Sequence, residues 1–401
     1  MLHGTRDLLF LHSGLGSLQL DYEESSRYHG CLRSLVRASV TDDDLSRRSI
    51  EDALQEAILK VLCVDDDSSS FDVRIKKVAD ELRQKLTARR ITYCCYIPVR
   101  GMKKAGLPFS VGQVEFAVFD DSLADRFREA VSKHEFQREM KLEKLEQDIK
   151  DGIHDKVCGI VNVEAKDYEA AQIVALNRLR LVLDILNFFS NMVPNHPRAW
   201  VYLPGDLEPY PFQALILNKD DGASFSLPSQ RIGPLMELSI LRIIESDTKY
   251  RIGFAYINSL LRKNNPNKFD QVLITAIHWA GRAVVAKRRE ESFLLYAIAL
   301  ESIILSDNPD TELSYRLRIR IALLLASGLE RRLEIHNTVR DLYTLRSKLV
   351  HDGRYEITDL ELESMRAIAR SCLTLLCIDP KFHTMRSPKD FGDWFEKQVF
   401  S

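Results

Sequence analysis

The sequence predicts a predominantly helical α+β fold, in which an N-terminal helical and α/β region is followed by a C-terminal helical bundle. Three observations lead to this prediction. Apolar residues recur three and four positions apart through almost all of the chain after Pro234. Between residues 91 and 165, several short runs are rich in β-branched and aromatic residues, which is typical of strands. Apolar residues make up 45% of the 401 and charged residues 28%, the balance of a globular protein with two or three domains.

Composition and charge exclude several classes of protein. The chain has 56 Lys and Arg against 58 Asp and Glu, a net charge of −2, so any basic nucleic-acid site has to be local. No run approaches the ~18 apolar residues of a membrane span, and the N-terminal apolar run lacks the pattern of a secretory signal. The seven cysteines include no C-x-x-C pair and no metal-ligand spacing. We therefore expect a cytoplasmic protein with free thiols, no membrane contact, and no metal or other cofactor.

Residues 1–90 are predicted to be mainly helical. The segments Ser49–Leu62 and Phe71–Leu86 carry apolar residues at helical spacing, and acidic, Ser-rich breaks lie beside them. The GLGS stretch at 14–17 lacks the Lys and the strand–turn–helix context of a phosphate loop, so it is interpreted as a turn.

Residues 91–234 are predicted to form an α/β region with a regulatory or sensing role. Strand-like runs lie at 91–99, 111–119 and 158–165. Two helices are expected, a highly charged one over Asp121–Asp151 and an apolar one that Asp167 caps and that runs to about Phe189. Five of the thirteen prolines fall between 194 and 211, around two short strand-like runs, AWVYL and QALIL, and mark a seam in the chain.

Residues 235–401 are predicted to form one helical domain. Helices are expected at 235–246, 250–263, 268–287, 290–306, 312–329, 332–351 and 357–378. Within the third of these, His278 and Trp279 lie among apolar residues and are interpreted as core.

Three segments of this domain combine charged side chains with helical packing residues. The first, Ala299-Leu300-Glu301, lies in an otherwise apolar helix, where a buried carboxylate needs a partner such as an arginine from a neighbouring helix. The second, 312–325, alternates three arginines, Arg316, Arg318 and Arg320. The third, 343–353, reads Tyr-Thr-Leu-Arg-Ser-Lys-Leu-Val-His-Asp-Gly.

Together these segments resemble the Apea-like branch of the HEPN superfamily (higher eukaryotes and prokaryotes nucleotide-binding). The shared pattern is an Ala-Leu-Glu helix, an Arg-containing helix and a Tyr-x-x-Arg-Ser-x-x-Val-His-x-Gly ending, and it covers residues 270–380. The resemblance implies that the C-terminal domain is a HEPN-type helical bundle. It also implies a metal-independent endoribonuclease that works as a homodimer and cleaves RNA by attack of the neighbouring 2′-oxygen, with Arg346 and His351 as catalytic residues. Family members of this build often act in antiviral defence or as toxins that arrest growth.

The spacing of the motif residues sets conditions on such a site. Ser347 and His351 are four residues apart and share a helix face, so the Ser347 hydroxyl could bind a phosphate or orient the imidazole. Arg346 and His351 are five residues apart, about 140° around an ideal helix. One chain therefore needs a distorted helix end to bring both to one phosphate, whereas two antiparallel copies bring two arginines and two histidines into one cleft. There the imidazole would move protons and the guanidinium would neutralise charge on the phosphorane.

Further basic residues are candidates for binding the substrate. Lys348 and Arg354 flank the motif and could hold the RNA backbone. Residues two apart on a helix point in different directions, so only one or two of the three alternating arginines would line the cleft, with Arg316 and Arg320 as the candidates. Between residues 311 and 356 there are nine Lys and Arg against six Asp and Glu, a difference of +3. Such a weak basic patch suits an enzyme that binds RNA transiently.

Each of these residues also has a structural explanation. His351 could cap the carbonyl groups at the end of its helix. Arg346 could form a surface pair with Asp341 or Glu356. Glu301 could belong to a structural ion pair or act in the site directly.

The sequence thus leaves three functions open. The first is a ribonuclease effector that is controlled by a protein or nucleotide trigger bound through residues 1–234. The alternative is a non-catalytic HEPN module that dimerises or binds a nucleotide or a partner protein. The third is a helical interaction scaffold in which the motif is fortuitous.

Overall fold

The computed structural model describes residues 9–13, 16–20, 22–39, 47–63, 76, 79–80, 90–132, 143–144, 146–190, 200–206, 213–217, 224–228, 237–240, 243, 248–307, 313–352 and 356–399. Over these residues the fold is α+β and predominantly helical, as the sequence predicts, with one four-stranded sheet and two hairpins. Among the same residues, no helix is both long and apolar enough to cross a membrane.

Contacts between residues divide the chain into two compact units. The first comprises Met1–Cys95 and Val161–Asn177, and the second comprises Tyr96–Ile160 and Arg178–Ser401. The three-part division expected from sequence composition stays a prediction. All of the motif residues belong to the second unit.

The first unit begins with a hairpin that is followed by two helices. In chain order these elements are β1 (Leu9–Ser13), β2 (Gly16–Leu20), α1 (Tyr22–Ser39) and α2 (Arg47–Cys63). Helix α2 confirms the helix predicted at 49–62. The sequence does not predict the antiparallel hairpin, because two five-residue strands are too short for alternation to stand out from a helical pattern. The helix predicted over Phe71–Leu86 lies almost wholly outside the described residues.

The four-stranded sheet confirms two of the predicted strands and corrects a third. Its strands are β3 (Ile91–Pro98), β4 (Phe109–Val111), β5 (Val114–Val118) and β6 (Val157–Ala165), in the order β3-β6-β5-β4. The single strand predicted at 111–119 is instead part of a tight antiparallel hairpin, with β4 and β5 joined at Gly112 and Gln113. Gly112 has a φ of +58° and its backbone N–H donates to Asn258 Oδ1 at 2.7 Å. A Cβ at Gly112 would lie 2.6 Å from the Cβ of Leu261, so only glycine fits this turn.

Two helices and a π-helical turn accompany the sheet. They are α3 (Asp121–Ser132), the π-helical turn (Ile149–Ile153) and α4 (Tyr168–Ser190). The side chain of Asp167 accepts a hydrogen bond from the backbone N–H of Ala170 at 2.8 Å, which confirms the predicted cap of α4. The long charged helix predicted from residue 121 begins there, while residues 133–142 within it lie outside the described residues.

The second unit continues with a hairpin and eight helices in its described residues. These elements are β7 (Gln213–Leu217), β8 (Ser224–Pro228), α5 (Thr248–Leu261), α6 (Lys268–Val285), α7 (Arg289–Ile304), α8 (Leu313–Leu325), α9 (Leu329–Asp352), α10 (Asp359–Ile378), α11 (Pro380–His383) and α12 (Pro388–Val399). Helices α5 to α10 confirm six of the seven helices predicted for this part of the chain.

The helix predicted at 235–246 is wrong at residues 237–239. The backbone N–H of Leu238 donates to the carbonyl of Gly101 at 2.6 Å, and Leu238 forms a parallel bridge with Met102. Backbone groups that bond across to another segment are not available to a helix. Tyr202 of the AWVYL run pairs in a similar way with Arg100.

Helix α7 has four helical neighbours, α6, α8, α9 and α10. Its buried residues lie on one side of the helix, within an arc of about 160°: Ser292, Phe293, Tyr296, Ala297, Ala299, Leu300, Ile303 and Ile304. Residues on the opposite side, including Glu301, are half-buried or exposed. A half-buried charge still loses hydration, so a partner from a neighbouring helix is favoured.

Helices α4 and α6 approach each other closely at Gly281. A Cβ built at this position would overlap the backbone carbonyl oxygen of Asp184 on α4. Because glycine has no side chain, the backbones of the two helices can come into contact. This approach also brings Asp184 Oδ2 to 2.9 Å from Nδ1 of His278, three residues before the glycine.

Replacing Gly281 with alanine should lower the free energy of unfolding by about 2–3 kcal/mol, because the added methyl group meets backbone that has to shift. Urea-induced unfolding measures this loss. Gly328→Ala is the matched control, since a Cβ there has nothing within 4 Å, and its effect should stay below about 1 kcal/mol. Equal effects of the two substitutions would contradict the close crossing.

Candidate functional site

Helix α9 carries the motif and packs through one apolar stripe. The buried residues of this stripe recur on one helix face and are Ile335, Val339, Leu342, Tyr343 and Leu349. Arg346 falls midway between Tyr343 and Leu349 and therefore points in the same direction. Ser347, Lys348 and His351 lie off the stripe and are exposed.

Arg346 forms an ion pair with Glu301 on α7. Its Nε lies 3.2 Å from Glu301 Oε1, and its Nη2 donates to Glu301 Oε2 at 3.3 Å. The two side chains are only 32% and 29% exposed, respectively. The hydroxyl of Tyr343 donates to the carbonyl of Ala297, one turn before Glu301, at 3.3 Å. The buried carboxylate thus has an arginine partner from a neighbouring helix, as the sequence analysis anticipated.

Burial is the largest influence on the pKa values of Glu301 and Tyr343. Burial raises the pKa of Glu301 above its ordinary value, although the charge and hydrogen bonds of Arg346 and the nearby hydroxyl of Tyr343 oppose the shift. Burial also raises the pKa of Tyr343, and the charge of Glu301 adds to this effect. Tyr343 therefore stays protonated and keeps its role as a hydrogen-bond donor at neutral pH.

His351 lies in the last turn of α9, as the sequence predicts. It shares its exposed helix face with Ser347, one turn earlier. Arg346 faces α7 instead, so one chain does not bring Arg346 and His351 to a common point. Arg354 lies outside the described residues.

Arg316 and Arg320 share one face of α8 and both bind Asp307, which follows α7. Arg320 donates through Nη1 and Nη2 to the two carboxylate oxygens at 2.6 and 2.7 Å, and Arg316 donates at 3.0 Å. Arg320 also lies over the ring of Phe395 at 5.0 Å. Arg318 points elsewhere and donates to the carbonyl of Ser314. The predicted contact of Arg316 and Arg320 with RNA stays a prediction, since in this geometry both are bound to a carboxylate.

The two arginines control the ionisation of Asp307. Burial alone raises the pKa of this carboxyl group, but the hydrogen bonds and charge of Arg320, together with the charge of Arg316, lower it below the ordinary value. Asp307 therefore remains ionised well into the acid range. The cluster holds α8 against the end of α7.

Sequence reasoning missed the two acids Asp307 and Asp184. Asp184 lies among apolar residues of α4, in LVLDILNFF, which is the same signal that draws attention to Glu301. Its partner His278 was predicted as core, but its side chain is 26% exposed and contacts Asp184. No local signal identifies Asp307, because it lies in a turn and its arginine partners follow nine and thirteen residues later.

Neither a cluster of metal ligands nor a similar known protein helps to decide among the candidate functions. In the part of the chain that the structure describes, no three His, Cys, Asp or Glu side chains come together as metal ligands. No protein-family model, no curated protein and no solved structure matches the chain. A function has to be inferred from the residues themselves.

Asp307→Asn should lower the free energy of unfolding by about 2–3 kcal/mol at pH 7, because two partly buried arginines lose their counter-charge. The pKa of Asp307 is lowered in the folded protein, so its contribution is present above the ordinary value of 3.8 and is lost as the pH falls through the folded pKa. Urea unfolding between pH 3 and 7 should show the difference from wild type shrinking toward acid pH. Asp341→Asn, which removes an exposed pair with Arg340, is the control and should cost less than about 1 kcal/mol.

Glu301→Gln should have the opposite pH dependence. The pKa of Glu301 is raised in the folded protein, so wild type loses stability relative to the variant as the pH rises from about 4.5 through the folded pKa. Unfolding measured between pH 4 and 7 tests this. Glu334→Gln, which removes an exposed pair with Arg331, is the control and should cost less than about 1 kcal/mol. A pH-independent difference for Glu301→Gln would mean that burial does not disfavour its ionised form.

Proposed function

We propose that this protein is a metal-independent endoribonuclease of HEPN type that cleaves RNA by attack of the 2′-oxygen. The observation that carries the proposal is the placement of the motif on α9. Arg346 is fixed by Glu301 while His351 stands exposed one and a half turns later on the same helix. A fixed guanidinium and an accessible imidazole are the two groups that metal-free cleavage of a phosphodiester requires.

Arg346 would stabilise the negative charge that develops on the phosphorane. Glu301 fixes the guanidinium from the α7 side, and a third of the arginine side chain remains accessible. The accessible part of the guanidinium could contact an oxygen of the dianionic phosphorane while Glu301 holds the other side. This would make the interaction stronger in the transition state than in the free enzyme, as catalysis requires.

His351 would move protons at the 2′-hydroxyl and at the leaving oxygen. Histidine is the side chain suited to both tasks near neutral pH. The exposed hydroxyl of Ser347, on the same helix face, would hold a phosphate oxygen or orient the imidazole. Lys348 is also exposed and would contact the RNA backbone, with Arg354 next to the motif in the sequence.

The site would be completed in a homodimer. Arg346 and His351 of one chain point about 140° apart on a regular helix, so a second antiparallel copy is needed to surround one phosphate. Large apolar side chains are exposed on both helices: Val350, next to His351 on α9, and Leu360, at the start of α10, are 48% and 78% exposed. Contact between two copies would bury them.

The remaining parts of the chain would control this activity. Residues 1–90 and 91–234 would form the regulatory region that senses a protein or nucleotide trigger, and residues 235–401 would form the HEPN domain. Release of the nuclease would halt translation, which suits an effector of antiviral defence or growth arrest in the cytoplasm.

One observation favours the second candidate, a non-catalytic HEPN module. The guanidinium of Arg346 is already engaged by Glu301, as a purely structural ion pair requires. In that case the exposed end of α9 would serve dimerisation or the binding of a nucleotide or partner protein.

Cleavage of single-stranded RNA in the presence of EDTA separates the two candidates. We expect wild type to cleave and to leave cyclic phosphate ends, which mass analysis of the products detects. Arg346→Ala and His351→Ala should each reduce the rate at least about 100-fold, in line with the loss of a transition-state donor or a proton-transfer group.

Matched controls are available on the same helix. Arg340→Ala removes an exposed arginine paired with Asp341, and His336→Ala removes another histidine of α9; both should cleave like wild type. Cleavage that needs a divalent cation, or that survives both motif substitutions, would refute the proposal. A folded dimer without cleavage would favour the non-catalytic module.

A further inference from the structure

Strand β3 forms one end of the four-stranded sheet, with β6 on its inner side. In the part of the chain that the structure describes, no strand lies on its outer side. Its eight residues, ITYCCYIP, include no charged side chain, and Ile91 is 56% exposed. Native proteins commonly protect an edge strand with charges, bulges or a covering segment, because its open backbone groups can pair with another chain. An uncharged edge of this length is therefore a place where a further strand can pair.

The hydrogen bonds just beyond β3 show which of its backbone groups face outward. The N–H of Val99 donates to the carbonyl of Val157, at the start of β6, at 2.8 Å. Arg100, one residue later, exchanges two hydrogen bonds with Tyr202 instead, at 2.9 and 3.1 Å. Backbone groups of successive strand residues point to opposite sides of the strand. The odd-numbered residues of β3 therefore bond to β6, and the even-numbered residues face the outer side.

The residues on the outer side suit an open edge. Thr92 and Cys94 are even-numbered, and their side chains are exposed. Pro98 is also even-numbered, and proline, which has no N–H to donate, is tolerated on the open side of an edge strand. Tyr202 pairs with Arg100 in the antiparallel direction, so this side of the strand already accepts an extended segment just after β3. The open edge thus runs from the start of β3 to Pro98.

The sequence of β3 is compatible with a second copy of itself in antiparallel pairing. In such a pair, outward-facing residues of one strand lie opposite outward-facing residues of the other. A two-fold axis at Cys94 places Thr92 opposite Tyr96 of the second copy and Ile91 opposite Ile97 of the second copy. Each pair joins uncharged side chains with a high preference for strands.

The charges that flank β3 favour this register over its neighbours. An axis at Cys95 would place Arg90 opposite Arg100 of the second copy, and like charges directly opposite each other are destabilising. An axis at Tyr93 would pair only residues 91–95. The axis at Cys94 pairs residues 91–97 and keeps the arginines apart.

We propose that β3 pairs with β3 of a second copy of this chain, antiparallel and centred on Cys94, and so joins two four-stranded sheets into one. The paired segment is short, so this contact by itself is weak and transient. It shares no residue with α9 and does not depend on the proposed cleavage of RNA.

Oxidation of the full-length protein with diamide tests this pairing. In a hydrogen-bonded antiparallel pair the opposite Cα atoms lie about 5.5 Å apart, a distance that a disulfide spans. Cys94 should therefore link to Cys94 of a second copy, and proteolytic digestion followed by mass analysis should detect the linked peptide. Cys31, which is also exposed, is the internal control and should give at least tenfold less of its own linked peptide.

Two variants separate the edge contact from random collision and from the nuclease. Thr92→Pro removes an outward N–H and leaves the bonds to β6, so it should lower the yield of the Cys94 link at least tenfold without changing the thermal unfolding curve. His351→Ala should link like wild type, whatever its effect on RNA cleavage.

The wild-type measurement decides the question even where the proline variant does not fold. The proposal is overturned if wild type gives no Cys94 link at about 100 µM protein, a concentration at which weak contacts form. It is also overturned if Cys31 links as readily as Cys94, or if a folded Thr92→Pro variant links like wild type.

Discussion

Helix α7 packs against several other helices and carries a half-buried carboxylate, Glu301, whose lost hydration has to be offset. The compensating charge is that of Arg346 on α9, whose Nε lies 3.2 Å from Oε1 of Glu301. An uncompensated charge in a buried position costs several kcal/mol, so this pair favours one register of α9 against α7. The register in turn determines which residues the end of α9 exposes, including Ser347 and His351. A contact that stabilises the fold thus also orients the proposed catalytic residues.

The same arrangement of an acid and a basic partner from another helix occurs twice more in the second unit. Asp307 beside α7 binds Arg316 and Arg320 of α8, and Asp184 of α4 meets His278 of α6. In each case the acid is poorly hydrated, and a nearby basic side chain on another helix offsets part of the cost of its burial. The two acids differ in their surroundings. The Asp307 cluster fastens two helices, whereas Asp184 lines a cavity that also contains three basic and two further acidic side chains.

Local periodicity was enough to predict much of the fold. Helices α5 to α10, the cap of α4 at Asp167 and the strands at 91–98 and 157–165 all follow from patterns within a few residues. The failures have a common cause. Leu238 is extended because its backbone bonds to Gly101, and β4 turns into β5 because Gly112 fits against Leu261. In both cases a partner more than 100 residues away decides the local structure, and no local pattern contains that partner.

By itself the sequence determined the helices between residues 248 and 378, the position of His351 in the last turn of its helix and the need of Glu301 for a basic partner. These properties depend on spacing and on the cost of burying a charge. Only the tertiary structure decided which arginine meets which acid: Arg346 reaches Glu301 from 45 residues away, and Arg316 and Arg320 are drawn to Asp307. It also brought Asp184 and His278 within 2.9 Å, where Gly281 lets two helices touch.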